Sequence, residues 1–242
     1  MDAAVGPRQD HRRRPRAAAR AGLQPLSGSP PQPRRIEVAP ERVRRWVDGF
    51  VARHGAAEAT LRDGVVHLLA ADGSTAVLSP LLPLAGDGGD DVVGALVRHA
   101  QAAPSPLVLV LVRRGGYSVG VVREGRLAAS KVGSRYVQSR TAAGGWSQQR
   151  FARRRDNQAA ALLDAVGDVV VRLALGDDGH SVEPGTTLVT GGDRALVEQL
   201  LAQPRLSGLA AVRAGRHLDV PDPRSDVLRD AVARALAVEV HV

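Results

Sequence analysis

The sequence predicts an α/β (α+β) chain in which a mixed β-sheet carries packed helices, preceded by a smaller α+β unit. Two separate runs of three short apolar segments, each run punctuated by Gly turns, read as antiparallel meanders. After the second run come strand-turn-helix-strand patterns, which add parallel neighbours to an antiparallel start. Between them lies one apolar stripe of helical period, about 28 residues long, which needs a sheet face to cover.

With 242 residues and 44% hydrophobic content, the chain is long enough for one large core or two small ones. That core is aliphatic, because Trp, Tyr and Phe number two each. Cysteine is absent, which excludes a disulfide framework and a thiolate metal site, and a reducing compartment fits. No run approaches the roughly 18 apolar residues of a membrane helix, and the N-terminus has no apolar signal core. A soluble cytoplasmic protein with no membrane partner is expected.

Residues 1–35 mix Arg runs, Ala and Pro with no periodicity able to bury a face, and are expected to form a disordered basic tail. The tail reads either as a passive extension or as a nucleic-acid-binding arm. A helix follows in APERVRRWVDGFVARH, with Pro40 in its first turn and Val43, Trp46, Val47 and Phe50 on one face. ATLRDGVVHLLAADGSTAVLSP alternates around Asp63-Gly64 and Asp72-Gly73, as a three-stranded meander does. Next comes a helix over DVVGALVRHAQAA that Pro104 stops. These elements make the small unit, residues 36–105.

The second unit, residues 106–242, opens with PLVLVLVRRGGYSVGVVREGRLAASKV, three strands joined by the RRGG and REGR turns, with Gly115-Gly116 in the first hairpin. After the long helix, GTTLVTGGDRALVEQLLAQ reads as strand, turn and helix, and LAAV as another strand. DPRSDVLRDAVARAL is a final helix with Pro223 near its start, and AVEVHV a last strand.

Three motifs suggest chemistry and fail on context. GYSVG matches the G-x-S-x-G nucleophile elbow, but that motif needs a strand, a sharp turn and a helix, whereas YSVGVV continues as alternating strand. TGGDRAL offers a helix start to a phosphate, yet lacks G-K-[ST] and the G-x-G-x-x-G spacing, so an ordinary strand-to-helix turn is expected. The seven histidines form no H-x-x-x-H or H-E-x-x-H pair, and no metal or other cofactor is expected. A ribonuclease would want carboxylates clustered at strand ends, and none stand in order.

Charge points elsewhere. Of the formal +8, residues 1–35 hold +6, and residues 125–155 hold +8 with no acid at all, leaving a mildly acidic body. Segregation of this kind attracts polyanions, nucleic acid above all. Residues 133–158, GSRYVQSRTAAGGWSQQRFARRRDNQ, gather three of the six aromatic side chains (Tyr136, Trp146 and Phe151) beside a Gly-Gly pair and two adjacent glutamines. From about Gln148 to Leu175 one helical stripe runs through Phe151, Arg155, Ala159, Leu162, Val166, Val169 and Leu173, straight past Gly167, with Ser147 placed as N-cap. Arg150, Arg153, Arg154 and Asn157 lie opposite it. This face reads either as a solvated basic surface or as a phosphate dock at a helix start. Ahead of it, Gly144-Gly145 can bring bare backbone close to a ligand.

Here the residues resemble a family. GGWSQQR is similar to the catalytic loop of the Vms-like release factors, in particular their actinobacterial peptidyl-tRNA hydrolase branch. These resemble in turn the central domain of archaeal and eukaryotic class-one termination factors, whose Gly-Gly-Gln loop enters the peptidyl transferase centre. The resemblance covers roughly residues 36–242, with its specific part at 133–158. It implies an RNase H-like release-factor catalytic domain in the second unit and hydrolysis of the ester between nascent peptide and tRNA. Gly144 and Gly145 correspond to the family's glycines and Gln148 to its glutamine. Trp146 and Ser147 separate the two, and Gln149 is a second candidate. Arg135, Tyr136, Arg140, Trp146, Arg150, Arg153 and Arg154 would hold tRNA or ribosomal RNA by phosphate contact and stacking. The partners implied are the large ribosomal subunit and peptidyl-tRNA. The zinc finger and ankyrin repeats of the eukaryotic members have no counterpart in these residues, so their partners are not carried over. The alternative is a non-catalytic, ribosome-associated RNA binder using the same basic face.

Overall fold

The computed structural model describes residues 34–134 and 147–242, with side chains from 157 onward in the helix that begins at 147. In chain order the elements are β1 (Arg35–Val38), a 3₁₀ turn (Pro40–Arg42), α1 (Val43–His54), β2 (Ala57–Arg62), β3 (Val65–Ala70), β4 (Thr75–Ser79), α2 (Val92–Gln101), β5 (Leu107–Arg113), β6 (Gly116–Arg123), β7 (Arg126–Ser134) and α3 (Ser147–Ala174). There follow β8 (Thr187–Gly192), α4 (Arg194–Leu201), a second 3₁₀ turn (Pro204–Leu206), α5 (Ser207–Ala211), β9 (Arg213–Leu218), α6 (Ser225–Leu236) and β10 (Val238–His241).

Ten strands make two five-stranded sheets. The first, ordered β1-β10-β4-β3-β2, is antiparallel throughout. Its hairpin β2–β3 turns on Asp63 (φ 51°) and Gly64 (φ 76°), the two left-handed residues that a two-residue turn needs to match strand twist. Val66, Leu68, Ala76, Leu78, Val238 and Val240 point to one face. Over that face lie Val43, Val47 and Phe50 of α1 and Val93 and Leu96 of α2. Trp46 stacks on Phe50 with ring centroids 5.6 Å apart. The Asp91 carboxylate caps α2 by accepting from the Gly94 amide at 2.8 Å.

The second sheet runs β7-β6-β5-β8-β9, a three-stranded meander extended by two parallel strands on helical crossovers. This is the mixed sheet expected, in RNase H-like order. The run LVLVLV of β5 does not alternate because both its faces are covered. Val108, Val110 and Val112 pack with Leu162, Val166 and Val170 of α3 and with Val197 and Leu200 of α4. Leu107, Leu109 and Leu111 pack with Leu228, Ala231 and Ala235 of α6 on the opposite side.

Several local expectations are corrected. LAAV falls at the end of α5 and beyond it, and the strand is the next segment, RAGRHL. Its inward positions are Ala214, Arg216 and Leu218, so an arginine occupies a core-facing site and hides the apolar alternation. The β5–β6 turn is Arg114-Gly115, since Gly116 already pairs with Arg113. Ser147 is the first residue of α3 rather than its cap, a shift within the ordinary uncertainty of helix ends. No strand is expected at Arg35–Val38, yet β1 pairs there with β10 at the other end of the chain.

Gly167 leaves α3 unbroken because another side chain uses the space. A Cβ at 167 would stand 2.4 Å from Arg205 Nη2. Arg205 lies across the helix there, donating from Nη1 to Asp168 at 2.5 Å, from Nη2 to the Asp164 carbonyl at 3.0 Å and from Nε to Gln203 Oε1 at 2.9 Å.

Candidate functional site

The long helix positions the candidate site. At 1.5 Å per residue its 28 residues span about 42 Å. The strands it covers, seven to nine residues long, reach only about 23–30 Å. One edge of the sheet is marked by the pairs Arg113–Gly116, Gly116–Ser134 and Val112–Gly192, so the Arg114-Gly115 turn, the end of β7 and the β8–α4 turn stand level. From that edge, Arg114 and Asp193 line a cavity of about 510 Å³ together with Ala159, Ala160, Leu162 and Leu163 of α3. Ala159 is the first described side chain of α3 counted with this core, and Gln158 Oε1 is buried as well; in the N-terminal direction the helix runs on to Ser147.

Gln148 and Gln149 lie in the first turn of α3, and Arg150, Arg153 and Arg154 in its first two turns. Their side chains, and Arg135, Tyr136, Arg140, Gly144, Gly145 and Trp146 altogether, lie outside the described residues. Of the stripe residues within the description, Leu162, Val166 and Val169 are buried, while Ala159 and Leu173 pack at the margin of the same core.

This cavity collects residues no local pattern signals, because they come from separate elements. Arg114 stands at one end, three-quarters exposed, with Asp193 4.0 Å away. Gln199 and Gln203 border it from α4 and the turn after it. Only the folded topology brings them to α3.

The three decoys resolve on geometry. Ser118 is fully buried in the middle of β6 under α6, its hydroxyl without a partner, so no nucleophile elbow exists. At TGGDRAL the first free amides of α4 are taken: Asp193 Oδ1 accepts from Ala195 and Leu196 at 3.0 and 3.2 Å. The turn is an ordinary capped one, and its glycine has a steric reason. Gly192 has φ 92°, and a Cβ there would lie 2.2 Å from the Val112 carbonyl oxygen. Next to it, His217 lies between Thr190 Oγ1 at 3.0 Å and the Gly192 carbonyl at 3.1 Å. Only a donor can face that carbonyl, so Nε2 carries the hydrogen. Burial lowers the His217 pKa, which favours the neutral ring. At this edge Asp193 is committed to the cap and Asp219 to Arg113 at 2.9 Å, while the Asp222 carboxylate lies beside Gly115. Among the described residues no three His, Asp or Glu side chains are grouped so as to hold a metal ion. No described helix is long and apolar enough to cross a membrane.

Comparison with known proteins adds the following. The family profile described as Actinobacteria/chloroflexi VLRF1 release factor matches residues 105–241. No curated protein matches. Among solved structures, the crystal structure of the archaeal translation termination factor aRF1 is similar at 14% identity and a TM-score of 0.36, over 81% of this chain and 53% of that one. A protein described only as archaeal is similar at 16% identity and a TM-score of 0.35, over 79% and 53%. The chain thus spans about half the length of these structures.

Proposed function

Because the chain belongs to the Actinobacteria/chloroflexi VLRF1 release factor family, we propose that it is a ribosome-associated peptidyl-tRNA hydrolase, freeing nascent peptide from tRNA on the large subunit. The observation that carries this reading, beside the family, is the length of α3. A group that must enter a deep ribosomal centre needs a carrier that reaches past the sheet, and a helix of about 42 Å on strands of about 23–30 Å has the length for one. In this proposal Gly144 and Gly145 bring the chain close to the ester, and Gln148 orients the attacking water. Glutamine is a poor acid and a poor base. It contributes by hydrogen bonding and positioning, and removing such a group costs about 10²-fold or more in rate. Trp146 and Tyr136 would stack on bases, and Arg135, Arg140, Arg150, Arg153 and Arg154 would neutralise phosphates. Action in the cytoplasm follows from such a substrate.

The test is peptide release from peptidyl-tRNA, offered on stalled large subunits, on intact ribosomes and free in solution. Gln148→Ala is expected to lower release by about 10²-fold or more while ribosome binding survives, and Gln149→Ala to cost less. If Gln149→Ala alone abolishes release, the roles of the two exchange. If both single variants and the double variant release at the wild-type rate, the hydrolase reading falls and the non-catalytic RNA binder takes its place.

A further inference from the structure

β7 carries an irregularity with a consequence for charge. Its register against β6 slips between Val121, which faces Ala129, and Val122, which faces Leu127, so Ala128 bulges out of the ladder. The packing records the slip: Ala129 joins the core under α3, and Leu127, two residues away, joins the core under α6. In an unbroken strand they would share a face. The same rephasing acts on two cations. Arg126 and Lys131, an odd number of residues apart, would point to opposite faces of a regular strand; across the bulge both stand on the face that α3 covers. Both are exposed, and neither has an acidic partner among the described residues. Arg123 faces the same way but is neutralised, its Nη1 and Nη2 donating to Glu183 at 3.0 and 2.5 Å. Among the described residues β7 is moreover the sheet's edge strand, paired with β6 alone, and α3 packs against it.

We propose that Arg126 and Lys131 are a second phosphate-binding segment, a track along the β7 edge that continues the basic start of α3. The ligand is then a stretch of RNA backbone, held along the sheet as well as at the helix tip. This rests on the reading of the chain as an RNA-directed release factor and adds to it where the RNA runs. A bulge at a sheet edge is a known means of re-aiming side chains, and here it gathers positive charge on one side.

The experiment measures binding of a short labelled single-stranded RNA to the full chain over a series of salt concentrations. Removing one cation that neutralises a phosphate lowers the slope of log affinity against log salt by about 0.7 on single strands. Arg126→Ala/Lys131→Ala is expected to reduce the slope by about 1.4. Arg45→Ala/Arg53→Ala, which removes equal charge from exposed sites on α1, should leave it unchanged. Deleting Ala128 keeps every charge but turns Arg126 to the other face, and should reduce the slope by about 0.7. Melting curves establish that each variant is folded, and the exposed double alanine variant carries the test if the deletion does not fold. A double variant that matches the α1 control overturns the proposal. So does polyglutamate if it displaces RNA and loses affinity for the double variant by the same factor, because the track would then serve an acidic polypeptide. Release of peptide is read separately: a wild type that binds RNA with the full slope yet releases nothing overturns the hydrolase reading and leaves this one standing.

Discussion

Arg216 is buried to 9% exposure in a chain whose other described arginines reach solvent to a greater degree. It is tolerated because each of its three nitrogens has an oxygen partner. Nε bonds Glu239 at 3.1 Å, Nη2 donates to the Ser79 carbonyl at 3.1 Å, and Nη1 donates to the carbonyls of Ala235 and Ala237 at 2.7 and 2.5 Å. Burial lowers its pKa, and the Glu239 charge opposes that shift. Its partners lie in β4, β10 and the end of α6, so one side chain of the second sheet holds the rim of the first. Glu37 of β1 adds a bridge to Arg234 at 3.0 Å. Removing Arg216 leaves Glu239 paired with Arg35 at 2.6 Å but takes the donor from the carbonyls of Ala235, Ala237 and Ser79, and buried groups left unpaired cost about 1–3 kcal/mol. Arg216→Ala is expected to lose about that much in urea denaturation; a loss below about 1 kcal/mol would show that the junction holds by other means. Nothing in AGRHL signals this role, since an arginine between Gly and His reads as surface.

The elements were legible where a period was long and uniform. The stripe of α3 runs for eight turns and survives Gly167, so its helix is readable from residues alone, as are the two meanders with their Asp-Gly and Glu-Gly turns. Legibility failed at short elements: LAAV is apolar enough for a strand, and only its place between two packed segments makes α5 of it. The β8–α4 turn is a case where the sequence suggested a ligand and the backbone explains the glycine instead. Gly192→Ala must force a Cβ into the left-handed region, worth about 1–2 kcal/mol, and also against the Val112 carbonyl. It is expected to lower stability by about 2 kcal/mol or more, with the change read in the denaturant midpoint. An unchanged midpoint would mean that the turn rearranges freely.

At the scale of the molecule, the first sheet is built from both ends of the chain. β10 lies between β1 and β4, with Val238 and Val240 fully buried. Residues Pro33–Val242 form one compact unit. Truncation after residue 237 would remove both ladders that tie β1 to the sheet and leave its core open. It is expected to abolish cooperative unfolding of the residues around α1 and α2, followed by the fluorescence of Trp46, which stacks there on Phe50. A truncated chain with the wild-type Trp46 transition would sink this. The two meanders, the aliphatic core, the length of α3 and the concentration of positive charge at 125–155 were determined by the sequence itself, because each depends on neighbours within a few turns or a few strand residues. So was the Gly-Gly-x-x-Gln signature, on which the candidate catalytic residues still rest. Tertiary structure alone decided that the last strand completes the first sheet, that Arg216 is internal, that α3 outruns its sheet, and that a bulge brings Arg126 and Lys131 to one face. The physical reason is common to all four: each depends on which distant segment supplies the partner for a backbone edge or a charge, and short-range periodicity carries no record of that choice.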